Sequence, residues 1–289
     1  MPDTPVLQLT DVTFRREGKQ IIDGISLTVH AGEHWALLGP NGAGKSTLLS
    51  FCAAVTFPTS GSVDILGRRM GRVDLAPLRH SIGHVNPRHP LRYPLTVREV
   101  VLTGITATID TPMRWTPTPE DLRRADAMIE TVGLKGKAEE IWPTLSQGER
   151  GRTLIARALI AEPRLLLFDE PSTGLDVAAR EQLLETIDAL GETHPDVASI
   201  LVTHHLEELP STTTHALLIA GGRTVAVGPA AETVTTDTVS AAFDHPVAVR
   251  YDDGRWTARA AVRGWPAQQT SGRISGRMSI RADAVRCVE

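Results

Sequence analysis

Hydrophobic residues near the start of the chain recur with a period of two. Apolar and polar positions alternate over residues 25–30, which predicts a half-buried strand, and residues 6–14 predict an earlier strand. Residues 17–19, Glu-Gly-Lys, predict the turn that joins them. We therefore expect an N-terminal antiparallel β subdomain.

Later segments alternate between short apolar runs and amphipathic helices. Helices are predicted at 149–161 and 177–190, and strands at 164–169 and 198–203. Ile82-Gly83-His84-Val85 predicts a central strand. Strands that alternate with helices indicate an α/β core with a mostly parallel, right-handed sheet.

Two other regions interrupt or extend this core. Residues 121–132 place apolar side chains on one helical face, and Gly133 predicts the helix end, so 87–160 is expected to be a helical insertion. Gly221-Gly222 and Asp252-Asp253-Gly254 each predict a β-hairpin. We expect a main domain at 1–244 and a small β-rich extension at 245–289.

Composition narrows the class of protein without naming a chemistry. The 289 residues are 41% hydrophobic and 22% charged, which is ordinary for a globular protein, and the net charge of −4 argues against a nucleic-acid partner. The two cysteines, Cys52 and Cys287, form no metal-spaced cluster, and Cys52 is expected to be buried. The longest apolar runs are strand-sized and the N-terminus lacks a signal peptide, so we expect any membrane span to come from another chain.

The strongest chemical signal follows a short buried strand at 34–38. The stretch Gly39-Pro40-Asn41-Gly42-Ala43-Gly44-Lys45-Ser46-Thr47 fits G-x-x-x-x-G-K-[ST], and all of its residues are candidate nucleotide ligands. Glycines allow the backbone N–H groups to curve round a phosphate, and the following helix adds the positive end of its dipole. Lys45 is placed for the β- and γ-phosphates and the hydroxyl of Ser46 for Mg²⁺.

An apolar run at 165–168 ends in two acids, Asp169 and Glu170. Ligands of parallel sheets bind at the carboxyl ends of the strands, so both acids are expected at the nucleotide. Asp169 is the candidate for the Mg²⁺ shell, and Glu170 is the candidate that orients or deprotonates an attacking water.

Two interpretations fit the stretch Leu145-Ser146-Gln147-Gly148-Glu149. Ser146 and Glu149 fit a capping box, which would be an ordinary helix start. However, Ser146 lies 23 residues before Asp169. Together with the phosphate loop and the acidic strand, it resembles the nucleotide-binding domain of an ATP-binding cassette (ABC) ATPase over residues 6–228.

Further stretches extend this resemblance. Ser172-Thr173-Gly174-Leu175-Asp176 is similar to the D-loop of the family, and Val202-Thr203-His204 is similar to the strand end that carries its switch histidine. His204 is favoured as this histidine because it directly follows the strand, and His205 is the competing candidate.

The resemblance implies a head-to-tail pair of cassettes. Each ATP would lie between the phosphate loop of one copy and Ser146 and Gly148 of the other, with Asp176 contributing to the nucleotide site. Catalysis would use Lys45, Glu170 and His204, and the histidine would bridge the glutamate, the water and the γ-phosphate.

Three positions depart from the family pattern, and the mildest is Glu149, which stands where glutamine is commoner. Pro87 occupies the position of the usual glutamine, and whether Asn86 substitutes for it stays open. Arg16 stands where an adenine-stacking tyrosine is usual, and its planar guanidinium is a candidate for the base. Phe14 is expected to face the core.

Two function classes fit these motifs. In the first, the chain is the ATPase subunit of a transporter, cytoplasmic and peripheral at the inner face of the plasma membrane, and it powers a separate permease. In the second, it is an ABC ATPase of DNA repair, translation or regulation with no permease. A P-loop kinase or GTPase is disfavoured by the LSQGE stretch and the paired acids.

Overall fold

The computed structural model describes residues 4–91 and 93–261, and the described residues form three β-sheets. The largest sheet has six strands in the order β10-β9-β3-β8-β7-β6, and all except β10 run parallel to their neighbours. These strands are β3 (His34–Leu38), β6 (Ile82–Val85), β7 (Leu165–Asp169), β8 (Ala198–Thr203), β9 (His215–Ala220) and β10 (Arg223–Pro229). The predicted α/β class with a mostly parallel sheet is confirmed.

The prediction that Ile82–Val85 is a central strand is wrong, because β6 lies at the edge of this sheet. The strand is apolar although it lies at the edge, because a helix packs on it. A Cβ added to Gly83 would lie 2.6 Å from Leu166 Cδ2 and 3.0 Å from the side chain of Ala158. Close packing against one face of this edge strand therefore requires the apolar residues that suggested a central strand.

The N-terminal sheet is antiparallel, in the order β2-β1-β4-β5. Its strands are β1 (Leu7–Arg16), β2 (Lys19–Val29), β4 (Ser60–Ile65) and β5 (Arg68–Arg69). The first two strands are longer than predicted, because the turn tightens to Glu17 and Gly18, with φ of +50° and +77°. The antiparallel subdomain is thus confirmed, with a hairpin that reaches two residues beyond Phe14.

Helices fill the spaces around the large sheet. They are α1 (Lys45–Cys52), α2 (Leu75–His80), α3 (Val97–Thr106), α4 (Pro119–Thr131), α5 (Gln147–Leu159), α6 (Val177–Thr193), α7 (Ala230–Thr233) and α8 (Thr236–Phe243). Short 3₁₀ helices lie at Trp142–Thr144 and Leu206–Glu208. No helix within 4–91 and 93–261 combines the length and apolarity that a bilayer crossing requires.

The predicted helical insertion consists of α3, α4 and α5, which pack against one another. Each begins with a capping box, formed by Thr96, Thr118 and Ser146. Helix α4 starts two residues earlier than predicted because Thr118 caps it and Pro119 fits its first turn. Gly133 follows the helix end with φ of +72°, as its sequence position predicts.

Strand β7 separates two hydrophobic cores. Leu166 and Phe168 face one core, which contains the insertion helices, whereas Leu165 and Leu167 face the other, which contains α1 and the antiparallel sheet. Cys52 is buried in the second core as predicted, and burial raises the pKa of its thiol to about 12. Cys287 lies outside the described residues.

Both predicted hairpins form. Gly221 and Gly222 connect β9 to β10, and a second hairpin joins β11 (Val247–Asp252) to β12 (Arg255–Ala260). Trp256 of β12 is 3% exposed and belongs to the same buried cluster as the insertion helices. The described part of the C-terminal extension therefore packs on the core, while residues 262–289 lie outside the described residues. The division of the chain at 244 stays a prediction.

Candidate nucleotide site

The phosphate loop connects β3 to α1 through a backbone that requires glycine. Gly39, Gly42 and Gly44 have φ of +155°, +80° and +102°. A Cβ on Gly39 would lie 2.2 Å from the carbonyl oxygen of Ile219, and one on Gly44 would lie 2.6 Å from Ile22 Cδ1. The loop is thus held against its neighbours in a curved form that side chains could not adopt.

Lys45 begins α1 and lies across this loop. Its side chain is buried, and its Nζ donates hydrogen bonds to the carbonyls of Gly39 at 2.8 Å and Pro40 at 3.1 Å. Burial lowers the pKa of the ammonium, whereas the nearby carboxylates of Glu170 and Asp169 raise it. The lysine is therefore held between the phosphate loop and the two acids.

The two acids mark the carboxyl end of β7. Asp169 is the last residue of the strand, and Glu170 turns the chain with φ of +48°, a left-handed conformation that is uncommon for a residue with a side chain. The amide of Glu170 donates to the carbonyl of Val202 on the neighbouring strand at 3.0 Å. One cavity has both acids in its lining, together with Ser46, Asn86, Pro87, Arg88 and Thr173.

Asp169 lies in an environment that disfavours its charge. Burial raises the pKa of this carboxyl and Glu170 raises it further, while Arg88 and Lys45 oppose the shift. Asn86 Nδ2 donates to Asp169 Oδ2 at 3.4 Å, and Asn86 Oδ1 accepts from the amide of Arg88 at 2.8 Å. At the position that departs from the family pattern, an amide side chain thus contacts the acid from the residue before Pro87.

His204 is the histidine that contacts an acid of the site. Its Nδ1 lies 3.2 Å from Glu170 Oε1, immediately after β8 ends. The ring of His205 is tilted against that of His204 with the centroids 4.1 Å apart, and the amide of His205 donates to Thr203 Oγ1 at 3.0 Å. The geometry therefore favours His204 over His205 as the partner of Glu170.

Ser146 and Gly148 lie at the start of α5, and neither lines the cavity that holds the two acids. Ser146 is exposed, and its Oγ donates to Glu149 Oε2 at 2.9 Å. The Lys137 ammonium and the Ser146 amide lower the pKa of Glu149 to about 2, which keeps the capping carboxylate ionised. The expected capping box is present, and the nucleotide-binding role of this helix start stays a prediction.

Asp176 and Arg16 have local partners in the structure. Asp176 caps α6, where its Oδ1 accepts from the amide of Ala179 at 2.8 Å. Arg16 ends β1 with its side chain 76% exposed and its Nε 3.8 Å from Glu17 Oε1. Phe14 packs edge-on against Phe51 at 5.6 Å, facing the core as expected. Neither Asp176 nor Arg16 lines the cavity of the acids, and their nucleotide contacts remain predictions.

Sequence reasoning did not select Arg88 or Thr173 as lining residues of the cavity. The amide of Thr173 donates to the carbonyl of Glu170 at 3.2 Å, so the turn after the acids folds back over them. Arg88 follows Pro87, and its position near Asp169 depends on the turn that Asn86 stabilises. The only available signal was proximity in sequence to Pro87 and Glu170.

Fold and site together define a P-loop nucleoside triphosphatase whose inserted helical unit ends in the capped helix α5. The family model "ABC transporter" matches residues 22–173. The ABC transporter ATP-binding protein YlmA of Bacillus subtilis (strain 168), itself described as uncharacterised, is 40% identical over 253 residues. The match spans 86% of this chain and 95% of YlmA. The chain belongs to the ABC transporter family as an ATP-binding protein.

Two further comparisons agree with this assignment. A hemin import ATP-binding protein of Bradyrhizobium diazoefficiens is 35% identical over 261 residues, covering 86% of this chain and 92% of that protein. An ATP-binding cassette solved as a dimer, in a post-hydrolysis state bound to ADP and Pi, superposes with a TM-score of 0.67 at 26% identity. It covers 77% of this chain and 98% of the solved one. The chain is an ATPase of this class, and its nucleotide is ATP.

Proposed function

We propose that two copies of the chain bind two ATP molecules head to tail and that hydrolysis drives a separate membrane-spanning subunit. The observation that carries this proposal is the contact of His204 Nδ1 with Glu170 Oε1 at 3.2 Å, beside Asp169 and the buried Lys45. A base, an orienting histidine and a phosphate ligand thus meet at one site, which is what phosphoryl transfer to water requires.

The phosphates of ATP would lie in the curve of the loop from Gly39 to Thr47. Its backbone N–H groups and the N-terminus of α1 supply positive potential there. Lys45 would exchange its hydrogen bonds with the loop carbonyls for the β- and γ-phosphate oxygens. The burial that lowers the pKa of this ammonium also strengthens its attraction to an anion.

Mg²⁺ fits the donor set at the end of β7. Ser46 and Asp169 line one cavity and offer a hydroxyl and a carboxylate, the oxygen ligands that Mg²⁺ prefers alongside water and phosphate. The raised pKa of Asp169 reflects burial beside a second acid, and a cation would relieve both effects. When bound, Mg²⁺ supplies charge neutralisation for the β- and γ-phosphates.

Glu170 and His204 would act on the attacking water. Glu170 would accept a proton from the water while the water oxygen bonds to the γ-phosphorus. The bond between the γ-phosphorus and the β–γ bridging oxygen then breaks, which releases ADP and phosphate. His204 holds the carboxylate at its Oε1 and orients it for this transfer. Lys45 offsets the charge that develops on the phosphate oxygens.

A second copy would complete the site. Ser146 is exposed at the N-terminus of α5, where the helix dipole favours an anion. Gly148 is buried on the same turn, where a Cβ would lie 3.2 Å from the side chain of Ala179, so its contact would be made by its backbone. These features support contacts from Ser146 and Gly148 of one copy to the γ-phosphate bound by the other, with Asp176 near the same interface and Arg16 beside the adenine.

The relatives favour transport over the alternative of a soluble ABC ATPase. They are described as ATP-binding proteins of ABC transporters, and one belongs to a hemin import system. We therefore place the chain in the cytoplasm, at the inner face of the plasma membrane and bound to a permease. The permease should co-purify in fixed stoichiometry from detergent-solubilised native membranes; a chain recovered entirely without a membrane protein would favour the alternative.

The head-to-tail mechanism is tested by Glu170→Gln, which keeps the shape of the side chain but removes the base. With Mg²⁺ and ATP, this variant should elute as a dimer in size-exclusion chromatography, and without nucleotide it should elute as a monomer. Adding Ser146→Arg to Glu170→Gln should abolish the dimer, because the long side chain blocks the α5 surface. A Glu170→Gln variant that stays monomeric with ATP would contradict the mechanism.

A further inference from the structure

The C-terminal hairpin contacts the segment that immediately follows the switch histidine. Strand β12 packs against the 3₁₀ helix Leu206–Glu208, and Trp256 of this strand is buried in the main core. Trp256 also pairs with Tyr251 of β11, with ring centroids 4.4 Å apart. The hairpin is therefore anchored to the cassette at the very place where the chain leaves β8 and His204.

Three polar contacts join the hairpin to this segment and to α6. Arg255 Nη2 donates to the carbonyl oxygen of Glu207 at 3.0 Å and lies 3.2 Å from Glu181 Oε2. The amide of Ala258 donates to Glu207 Oε1 at 3.1 Å. Because the backbone and the side chain of Glu207 are both held, the 3₁₀ helix is fixed from the hairpin side in position and in rotation.

A short series of contacts leads from Glu207 to the catalytic glutamate. The hydroxyl of Thr203 donates to the carboxylate of Glu208, the residue after Glu207. Thr203 Oγ1 also accepts a hydrogen bond from the amide of His205. The ring of His205 lies against His204, whose Nδ1 contacts Glu170. A shift of the 3₁₀ helix would therefore move the histidine that orients the base.

We propose that Arg255 is a positioning residue for ATP hydrolysis and that the C-terminal hairpin is a brace for His204. This inference rests on the role given to His204 under the proposed function. It assigns the extension a part in the reaction that is separate from the roles of the phosphate loop, the two acids and helix α5. Its physical basis is that small errors in the position of a catalytic group have large effects on rate.

The test replaces Arg255 by Met, which keeps the aliphatic stem and removes the guanidinium. The purified 289-residue Arg255→Met variant should show a kcat for ATP lowered about fivefold to tenfold, with KM changed less than about twofold, since the phosphate loop is untouched. Arg259→Ala is the matched control, because Arg259 lies on the same strand and is exposed. It should hydrolyse ATP at the wild-type rate.

A double-mutant cycle separates positioning from a general loss of structure. In a His204→Ala background, adding Arg255→Met should change kcat by less than about twofold, because the group that Arg255 positions is already absent. Additive effects of the two substitutions, or an Arg255→Met kcat equal to that of Arg259→Ala, would overturn the proposal.

Two further measurements keep the interpretation unambiguous. If Arg255→Met does not fold, Arg255→Lys, which retains one donor, should restore folding and give an intermediate kcat; a wild-type kcat in that variant would count against the brace. If His204→Ala alone hydrolyses ATP at the wild-type rate, the role of His204 fails. A His204→Ala variant with a low kcat beside an unaffected Arg255→Met would instead refute the brace alone.

Discussion

Replacing Ser146 by Ala separates the two roles that this serine can have. In the single chain it caps α5: its Oγ accepts from the Glu149 amide at 3.3 Å and donates to Glu149 Oε2 at 2.9 Å. Glu149 keeps the Ser146 amide at 2.8 Å and the Lys137 ammonium at 2.7 Å after the substitution. The loss is therefore one cap, about 1 kcal/mol of unfolding free energy, or roughly 2–4 °C in Tm.

The effect on hydrolysis should be far larger than the effect on stability. If the hydroxyl contacts the γ-phosphate bound by a second copy, its removal deletes one hydrogen bond to developing charge. Such donors contribute about 3–4 kcal/mol to the transition state, so kcat should fall roughly 10²-fold to 10³-fold. The two quantities are measured on one preparation by thermal unfolding and by steady-state phosphate release.

The chain contains its own matched control for this experiment. Thr118 caps α4 through the same kind of box: its Oγ1 accepts from the Asp121 amide at 3.2 Å and donates to Asp121 Oδ2 at 2.8 Å. Thr118→Ala should lower Tm by a similar amount and leave kcat within about twofold of wild type. Equal kcat values for Ser146→Ala and Thr118→Ala would refute the nucleotide role of Ser146.

Three other changes test the site and the core. Gly39→Ala places a Cβ 2.2 Å from the Ile219 carbonyl oxygen, so binding of a fluorescent ATP analogue should be lost; unchanged binding would contradict the loop geometry. Asn86→Ala removes the amide 3.4 Å from Asp169 and should raise the Mg²⁺ concentration for half-maximal ATPase roughly tenfold, while an unshifted Mg²⁺ titration would exclude this contact. His89 should destabilise the fold in acid: burial lowers its pKa from 6.5 to about 4. As pH falls, His89 takes up a proton in the unfolded chain before it does so in the folded chain. The free energy of unfolding is therefore retained above pH 6.5 and decreases as pH falls toward 4. The decrease is about 1–2 kcal/mol at pH 5 after allowance for solvent screening. Urea unfolding of His89→Phe at pH 7.5 and 5 should lack this component, and an identical pH dependence in both proteins would refute it.

Local patterns in the sequence were sufficient for the fold class and for most of its elements. Strand β7 and helices α5 and α6 lie within three residues of their predicted bounds, and both glycine-containing hairpins form where they are predicted. Periodicity and turn chemistry depend on neighbours a few residues apart, so they are readable in one dimension. The short helices α2, α7 and α8 were not predicted, because they are too brief for a clear period.

The order of the motifs alone identified the family and the nucleotide, since each motif carries its chemistry in adjacent residues. Tertiary structure decided everything that depends on distant segments meeting. It put β6 at the sheet edge, brought His204, the histidine already favoured from the sequence, to Glu170, and placed Asn86 against Asp169. It also joined Arg255 to the segment after His204. These contacts follow from strand order and packing, and sequence spacing does not encode either of them.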